Sequence, residues 1–377
     1  MVGIVEPVVG IVEAATARVR DVPVYRPGRP SPGPEAGKLS SNEAPLGPSP
    51  EVQAAIASSL GRVNRYPEPA RAVEALARYA GASPERLILT NGSDELCYLV
   101  ATLFLGPGRV AVVGDPCYQI DATASLVSGA SVRRVPLRDG AHDLAAMAEA
   151  ATGAAVVWLP SPHNPTGVAC DPEELAAFLS DVPEDCLVVL DEAYRAFADP
   201  EVRPDVDNLL ARHPNLLVQR TLSKDFALAG LRVGYGLASA PLVAALSRAR
   251  PPFSVNLLAL AAIEAAVASE AWRAMSVDRA RHERRRLEEA LGRVGTEYFP
   301  SQANFVTARL DLDALAPALA ASGTVIRSGA DLGLPGWARI SIGWAPQMAV
   351  LRQVLYSRLG PRLAAGEASE LSRPVDH

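Results

Sequence analysis

Lysine is almost missing from this chain. Of its 36 basic residues only two are lysine, Lys38 and Lys224, in a sequence of 377. Such a bias is most simply the mark of a GC-rich genome. It still singles out each remaining lysine, because arginine cannot replace an amine that must lose its proton and attack a carbonyl. Cysteine is scarce too: Cys97, Cys117, Cys170 and Cys186 lie far apart and form no C-x-x-C, and the five histidines form no H-x-x-x-H pair. That spacing speaks against a zinc site or a disulfide framework and points to a reducing, cytoplasmic setting with no metal. An excess of basic charge is absent, the formal net charge being −6, which argues against a nucleic-acid partner. No run of 18 uncharged apolar residues occurs, so no membrane span is expected. The repeated pentapeptide at 2–6 and 9–13 is interrupted by Glu6 and Glu13 and does not read as a signal peptide. What remains, 49% hydrophobic and 21% charged residues, is the composition of an ordinary globular protein.

The length suggests two domains, or one large α/β domain with a smaller companion. Pro23 to Pro50 is rich in Pro, Gly and Ser and reads as an irregular arm; the end of the chain, from about Ala364, reads as a loose tail. Between them, apolar β-rich runs (87–89, 110–113, 155–159, 186–190, 216–219) alternate with helical stretches (70–79, 95–105, 172–179, 207–212). That alternation predicts an α/β fold with a mostly parallel sheet covered on both faces. From Leu257 one long helix is expected to run on through Leu291, its charge run at 279–286 forming a solvated face. Short strands near 304–309, 324–327 and 338–342 suggest a smaller C-terminal α/β unit. The expected division is 1–47 for the arm with part of the small domain, 48–255 for the large domain, 256–363 for the small domain and 364–377 for the tail.

In parallel sheets, ligands gather at the carboxyl ends of the strands. The polar residues just beyond the apolar runs are therefore the candidates. After 87–89 come Asn91-Gly92-Ser93-Asp94, opening a helix that could cradle a phosphate on its N–H groups. After 155–159, a proline-locked loop presents Asn164. After 186–190 comes Asp191 with Tyr194 three residues on, and after 216–219 come Thr221, Ser223 and Lys224, then Arg232. Each alone has an ordinary explanation as an N-cap, a surface lysine or a buried ion-pair partner. Together, in order, they fit one ligand, pyridoxal 5′-phosphate. Its aldehyde needs an amine (Lys224) and its ring nitrogen an anion (Asp191). The ring oxygen needs donors (Asn164, Tyr194), and the phosphate needs Gly92, Ser93, Asp94, Thr221, Ser223 and the fixed cation Arg232.

With those motifs in place, the chain from about 22 to 358 resembles the fold-type I, class I/II aminotransferases, in particular their histidinol-phosphate and aromatic branch. The stretches that carry the resemblance are 23–28, Leu39-Ser40-Ser41-Asn42-Glu43-Ala44-Pro45-Leu46-Gly47-Pro48, Asn64-Arg65-Tyr66-Pro67, 91–96, His163-Asn164-Pro165-Thr166-Gly167, 191–194, Ser223-Lys224 and Gly230-Leu231-Arg232. The resemblance implies a seven-stranded, mostly parallel central sheet. It implies that Tyr118 stacks on the cofactor ring and that Tyr66 reaches the cofactor of a neighbouring subunit, so the expected assembly is a homodimer with shared sites. Arg339 would grip a substrate carboxylate or phosphate, with Tyr25 and Arg327 over the substrate's far end. The reaction implied moves an amino group from histidinol phosphate or an aromatic amino acid to a 2-oxo acid such as 2-oxoglutarate, with Lys224, Asp191 and Tyr194 as catalytic residues.

Three departures bear on the substrate rather than the cofactor. Asp225 follows the lysine where the branch carries a small neutral residue, placing a second carboxylate by the reacting amine. Ala44 stands in place of an Asn, and Gly343-Trp344-Ala345-Pro346-Gln347 follows Arg339 where Gly-Thr is usual. The alternative on the same fold is a pyridoxal-phosphate lyase, decarboxylase or oxidase of specialised metabolism. A non-catalytic pyridoxal-phosphate sensor would call for an appended DNA-binding domain, for which the arm before Tyr25 is too short.

Overall fold

The computed structural model describes residues 37–360, with Gly10, Glu13, Val19, Arg20, Val22 and Val24 ahead of them. Tyr25, most of the arm and the tail from 361 lie outside the described residues. The central sheet has seven strands: β2 (Leu87–Thr90), β3 (Val110–Asp115), β4 (Ser131–Pro136), β5 (Val156–Pro160), β6 (Leu187–Asp191), β7 (Leu216–Thr221) and β8 (Gly234–Leu237). Their order is β2-β8-β7-β6-β5-β3-β4. All neighbours are parallel except β8, which runs antiparallel to both β2 and β7. Every residue of β5 and β6 is buried, because helices cover both faces, and this is why those strands read as unbroken apolar runs. One face packs Val112, Val157, Val188 and Val218 under the helices at 144–151 and 172–181; the other packs Val113, Trp158, Val189 and Leu217 under the helix at 92–104.

Two strands were not legible in advance. In β4 the pattern is mostly exposed, with Arg133 and Arg134 on it, as an edge strand allows. In β8 two glycines interrupt any apolar run. They are there for close approach: a Cβ on Gly234 would strike the backbone of Gly92 and Ser93, and one on Gly236 would lie 2.8 Å from Leu96 Cδ2. The strand's bareness lets a helix N-terminus settle on the sheet.

A second sheet orders β1 (Lys38–Leu39), β10 (Val325–Ser328), β11 (Trp337–Ser341) and β9 (Phe305–Arg309) as β1-β10-β11-β9. It has its own core of Leu39, Leu287, Phe305, Ile340 and Leu351. The stretch expected to be an irregular arm thus contributes β1, which pairs in parallel with β10.

The expected long helix is two. One spans Leu257–Ala268 and the next Glu270–Arg293, broken at Ser269, whose φ and ψ of −88° and 47° leave the helical basin. Ser269 Oγ meets Ser49 Oγ at 2.8 Å, and the apolar first helix packs on the helix Pro50–Ser59. The solvated face expected at 279–286 also needs correction. Glu283 and Arg284 are buried: Glu283 pairs with Arg352 at 2.6 Å and Arg286 at 3.0 Å. Arg284 donates to the carbonyls of Phe197 (3.0 Å) and Ala303 (3.2 Å). The turn at 195–197 ends with carbonyls that need donors, and this helix supplies them. Among the described residues no helix is long and apolar enough to cross a membrane.

Candidate active site

The carboxyl ends of β2, β5, β6 and β7, together with β10 and β11 of the second sheet, open onto one cavity of about 980 Å³. From β2 the chain turns through Gly92, whose φ of +79° suits glycine, into the helix Gly92–Phe104. Arg232 itself holds a left-handed conformation, φ 57°. Its guanidinium lies so close that a Cβ on Gly92 would stand 2.6 Å from Nη2. Ser93 and Asp94 line the cavity beside it; Asp94 takes Arg232 Nη2 at 3.2 Å and the Tyr118 hydroxyl at 3.0 Å. From β7, the Thr221 hydroxyl meets Ser223 Oγ at 3.0 Å on the same wall. Helix N–H groups, two hydroxyls and a guanidinium thus surround a glycine cradle, a donor set suited to a phosphate.

The loop after β5 is held rigid by its own bonds. His163 N–H donates to Val168 O and Gly167 N–H to His163 O, both at 2.7 Å, and Thr166 Oγ1 donates to Gly140 O at 2.7 Å. Asn164 is thereby fixed: its Nδ2 donates to the Tyr194 hydroxyl at 3.4 Å and its Oδ1 accepts from Arg339 Nη1 at 2.7 Å. Beneath the loop, the rings of His142 and His163 meet edge to face at 4.7 Å. Burial pushes the His142 imidazole down to about 4 from 6.5. Its unfolded-state protonation below pH 6.5 therefore opposes folding, and the cost grows as pH falls from 6.5 towards about 4. That difference corresponds to about 3 kcal/mol. Thermal unfolding followed against pH should show this slope, and His142→Asn should flatten it; an unchanged slope refutes the attribution.

Asp191 ends β6 and is buried. Burial pushes its carboxyl up to about 6, Asp94 and Glu192 add to that, and the Ala193 N–H (2.9 Å) and Gln219 side chain pull back. None of these influences is a cation, so this is a buried anion site with its counter-charge still to come. A protonated ring nitrogen answers that need. On the neighbouring strand end, Lys224 is partly buried; its Nζ donates to Ser41 O at 3.4 Å and lies 5.7 Å from the Tyr194 ring centroid. Burial, and then the charge of Arg339, push its amine down to about 8. An appreciable neutral fraction at physiological pH is what a nucleophilic amine needs.

Arg327 and Arg339 face each other in register across β10 and β11, both buried and both lining the cavity. Arg339 Nη2 donates to Ser40 O at 3.0 Å, and Arg327 Nε lies 3.9 Å from Asp331. Tyr66 does not line this cavity. It is 77% exposed and stacks on Phe253 at 4.5 Å between centroids. Tyr25 lies outside the described residues. One expectation fails: Asp225 does not face the reacting amine. It turns into a second cavity behind the wall, of about 230 Å³, and pairs with Arg273 at 3.1 Å. A buried carboxylate takes the cation within reach, and here that is on the helix Glu270–Arg293.

Residues 40–43, which carry the resemblance but had no role expected of them, also belong to the site. Asn42, at φ 53°, donates from Nδ2 to the Tyr194 hydroxyl at 3.0 Å and from its backbone N–H to Ser341 Oγ at 2.7 Å. The stretch falls in what reads as an irregular arm, and only the pairing of β1 with β10 brings it over the lysine.

A family model for aminotransferases of class I and II matches residues 35–355. The histidinol-phosphate aminotransferase of Brevibacillus brevis is 37% identical over 359 residues, 91% of this chain and 98% of that protein. The histidinol-phosphate aminotransferase 2 of Pseudomonas aeruginosa is 40% identical over 311 residues, 81% of this chain and 84% of that protein. Among solved structures, histidinol-phosphate aminotransferase from Sinorhizobium meliloti in complex with pyridoxal-5′-phosphate superposes with a TM-score of 0.82 at 28% identity, covering 91% of this chain and 97% of that one. On sequence, fold and site together, the chain belongs to the class I and II aminotransferase family.

Proposed function

We propose that this aminotransferase binds pyridoxal 5′-phosphate in the cavity of about 980 Å³. Its amino donor is then histidinol phosphate or an aromatic amino acid, and its acceptor a 2-oxo acid such as 2-oxoglutarate. The observation that carries the reading is the convergence of the lowered Lys224 amine and the cation-seeking Asp191 carboxyl on one cavity. When bound, the cofactor supplies an aldehyde for a primary amine and a conjugated ring that accepts the electron pair left when a Cα–H bond breaks.

The chain's own residues do the rest. Asp191, as an anion, holds a proton on the ring nitrogen. Asn164 and Tyr194 donate to the ring oxygen, and Tyr118 covers one ring face. Gly92, Ser93, Asp94, Thr221, Ser223 and Arg232 hold the phosphate. Lys224 Nζ, neutral in part at physiological pH, would take the proton from the substrate Cα and return it to the cofactor carbon that had carried the aldehyde, acting as base and then as acid. Arg339 and Arg327 receive the substrate's acid groups by fork-shaped contacts that fix its orientation. Tyr66, turned away from its own chain's cavity, serves a second copy across a homodimer interface. Four free cysteines, three of them buried, accord with a cytoplasmic setting.

A single-turnover spectral screen tests this. Loaded enzyme is mixed with histidinol phosphate, then with aromatic and other amino acids one at a time, while the cofactor's near-visible band is followed. The expected result is that one anionic or aromatic donor bleaches the band and 2-oxoglutarate restores it. Carbon dioxide, ammonia or hydrogen peroxide released without that exchange overturns it.

A further inference from the structure

Behind Asp191 lies a second carboxyl that the reaction above does not use. Asp121 sits in the first turn of the helix Gln119–Val127 and is only 2% exposed. Ser125 Oγ donates to its backbone carbonyl at 2.7 Å, and Trp158 Nε1 holds that serine at 3.0 Å. The side-chain partner of Asp121 is Cys97 on the helix Gly92–Phe104, with Sγ 3.8 Å from Oδ1. Cys97 Sγ is in turn 3.4 Å from Gln219 Oε1. Gln219 is fully buried and lies in register beside Asp191 on β7, and its Nε2 makes no hydrogen bond of ordinary geometry. Two buried side chains therefore connect the two carboxyls.

The polarity of this row comes from counting protons. A thiol has one, and given to Gln219 Oε1 it leaves the carboxamide N–H to face Asp191. The sulfur can then receive a proton only from Asp121. Every donor in the row points towards Asp191 if Asp121 is protonated. With Asp121 ionised, the thiol swings to it, Gln219 Oε1 loses its donor, and two anions share one buried region. The charged and titratable groups facing Asp121 are Cys97 and Asp94 from the helix Gly92–Phe104, Cys117 from the preceding loop and Asp191 from β6. Arg134, which reaches Cys117, is paired with Asp115 at 3.1 Å. Burial above all, then Asp191 and Asp94, push the Asp121 carboxyl well above its ordinary range.

We propose that Asp121 is a neutral, protonated positioning residue, and that the row Asp121–Cys97–Gln219 keeps Asp191 as the one anion offered to a ring nitrogen. The proposal rests on the role given to Asp191 above. Isotope-edited infrared difference spectra, taken with and without cofactor, test it first. At neutral pH the wild type should show the C=O stretch of a protonated carboxyl that Asp121→Asn removes. The second readout is the pH at which acid releases the cofactor. Asp121→Leu, which removes the anchoring proton, should raise that midpoint by about one unit, a tenfold weaker hold at a fixed acidic pH. Asp121→Asn, whose amide still donates, should restore it. An ionised Asp121 predicts the opposite sign, since its loss would relieve Asp191. No assignable band, or a midpoint unmoved or lowered in Asp121→Leu, overturns the proposal. If the Leu variant does not fold, the infrared result on the Asn variant decides. If the cofactor does not bind at all, the reading of Asp191 fails, and the band in the cofactor-free protein still judges the row.

Discussion

Lys224→Ala is expected to abolish turnover and the absorbance that marks covalently held cofactor. The chain has no substitute. The other lysine, Lys38, is held by Glu43 at 2.7 Å on the edge of the second sheet and does not line the cavity. The remaining basic side chains in the site are guanidiniums, which keep their protons. Two tasks therefore end together, attachment to the aldehyde and proton transfer at Cα. The second alone is worth a factor of about 10² to 10⁴, so a fall of at least about 10⁴ in kcat is expected. Lys224→Arg should fare no better, because charge and reach are kept while the neutral form is lost. Near-normal activity in either variant would refute the assignment.

Asp191→Asn is expected to move activity and stability in opposite directions. Asparagine is nearly isosteric but cannot balance a protonated ring nitrogen, so kcat should fall by about two to four orders of magnitude. The cofactor-free protein should meanwhile gain stability. Burial raises the Asp191 carboxyl from 3.8 to about 6. The folded chain thus holds this proton more tightly than the unfolded chain does. Its contribution is present in full below pH 3.8 and is lost as pH rises through about 6. At neutral pH the ionised carboxylate costs the cofactor-free fold about 3 kcal/mol, which Asn would restore. Urea unfolding of the two cofactor-free proteins at several pH values checks this: the two stabilities should meet below pH 3.8, separate as pH rises from there to about 6, and stay a constant distance apart above it. Divergence in the reverse sense would mean that Asp191 already has a cationic partner.

Much of the candidate site was legible in the sequence because parallel strands advertise themselves. A strand buried on both faces is an uninterrupted apolar run, and the first polar residues after it stand at the ligand-facing end of the sheet. Asn164, Asp191, Thr221, Ser223 and Lys224 were found in this way, each by its distance from a run that the fold then placed in the centre. Strand by strand, a sequence shows the polar residues at each strand's end. It does not show the residues that come across from another element. β8 was hidden because its glycines make room for Gly92 and Ser93, a contact with a partner 142 residues away in the case of Gly92 and Gly234. Asn42 had no role legible in the sequence because it reaches Tyr194 from just beyond the two-residue strand β1, which is placed only by its pairing with β10.

Charge was the least legible of all. The run at 279–286 reads as a solvent-facing helix, yet Glu283 and Arg284 go inside, because Arg352 and the carbonyls of Phe197 and Ala303 lie there to receive them. Asp225 reads as a neighbour of the reacting amine, yet it turns to Arg273 behind the wall. Successive side chains leave the backbone in different directions, and a carboxylate settles on whichever cation the packing brings within reach. The sequence by itself determined which polar residues stand at the ends of the buried apolar strands and could do the chemistry. Only the tertiary structure decided which charges meet, since a desolvated charge must find its partner in space and the partner's place is set by packing far along the chain.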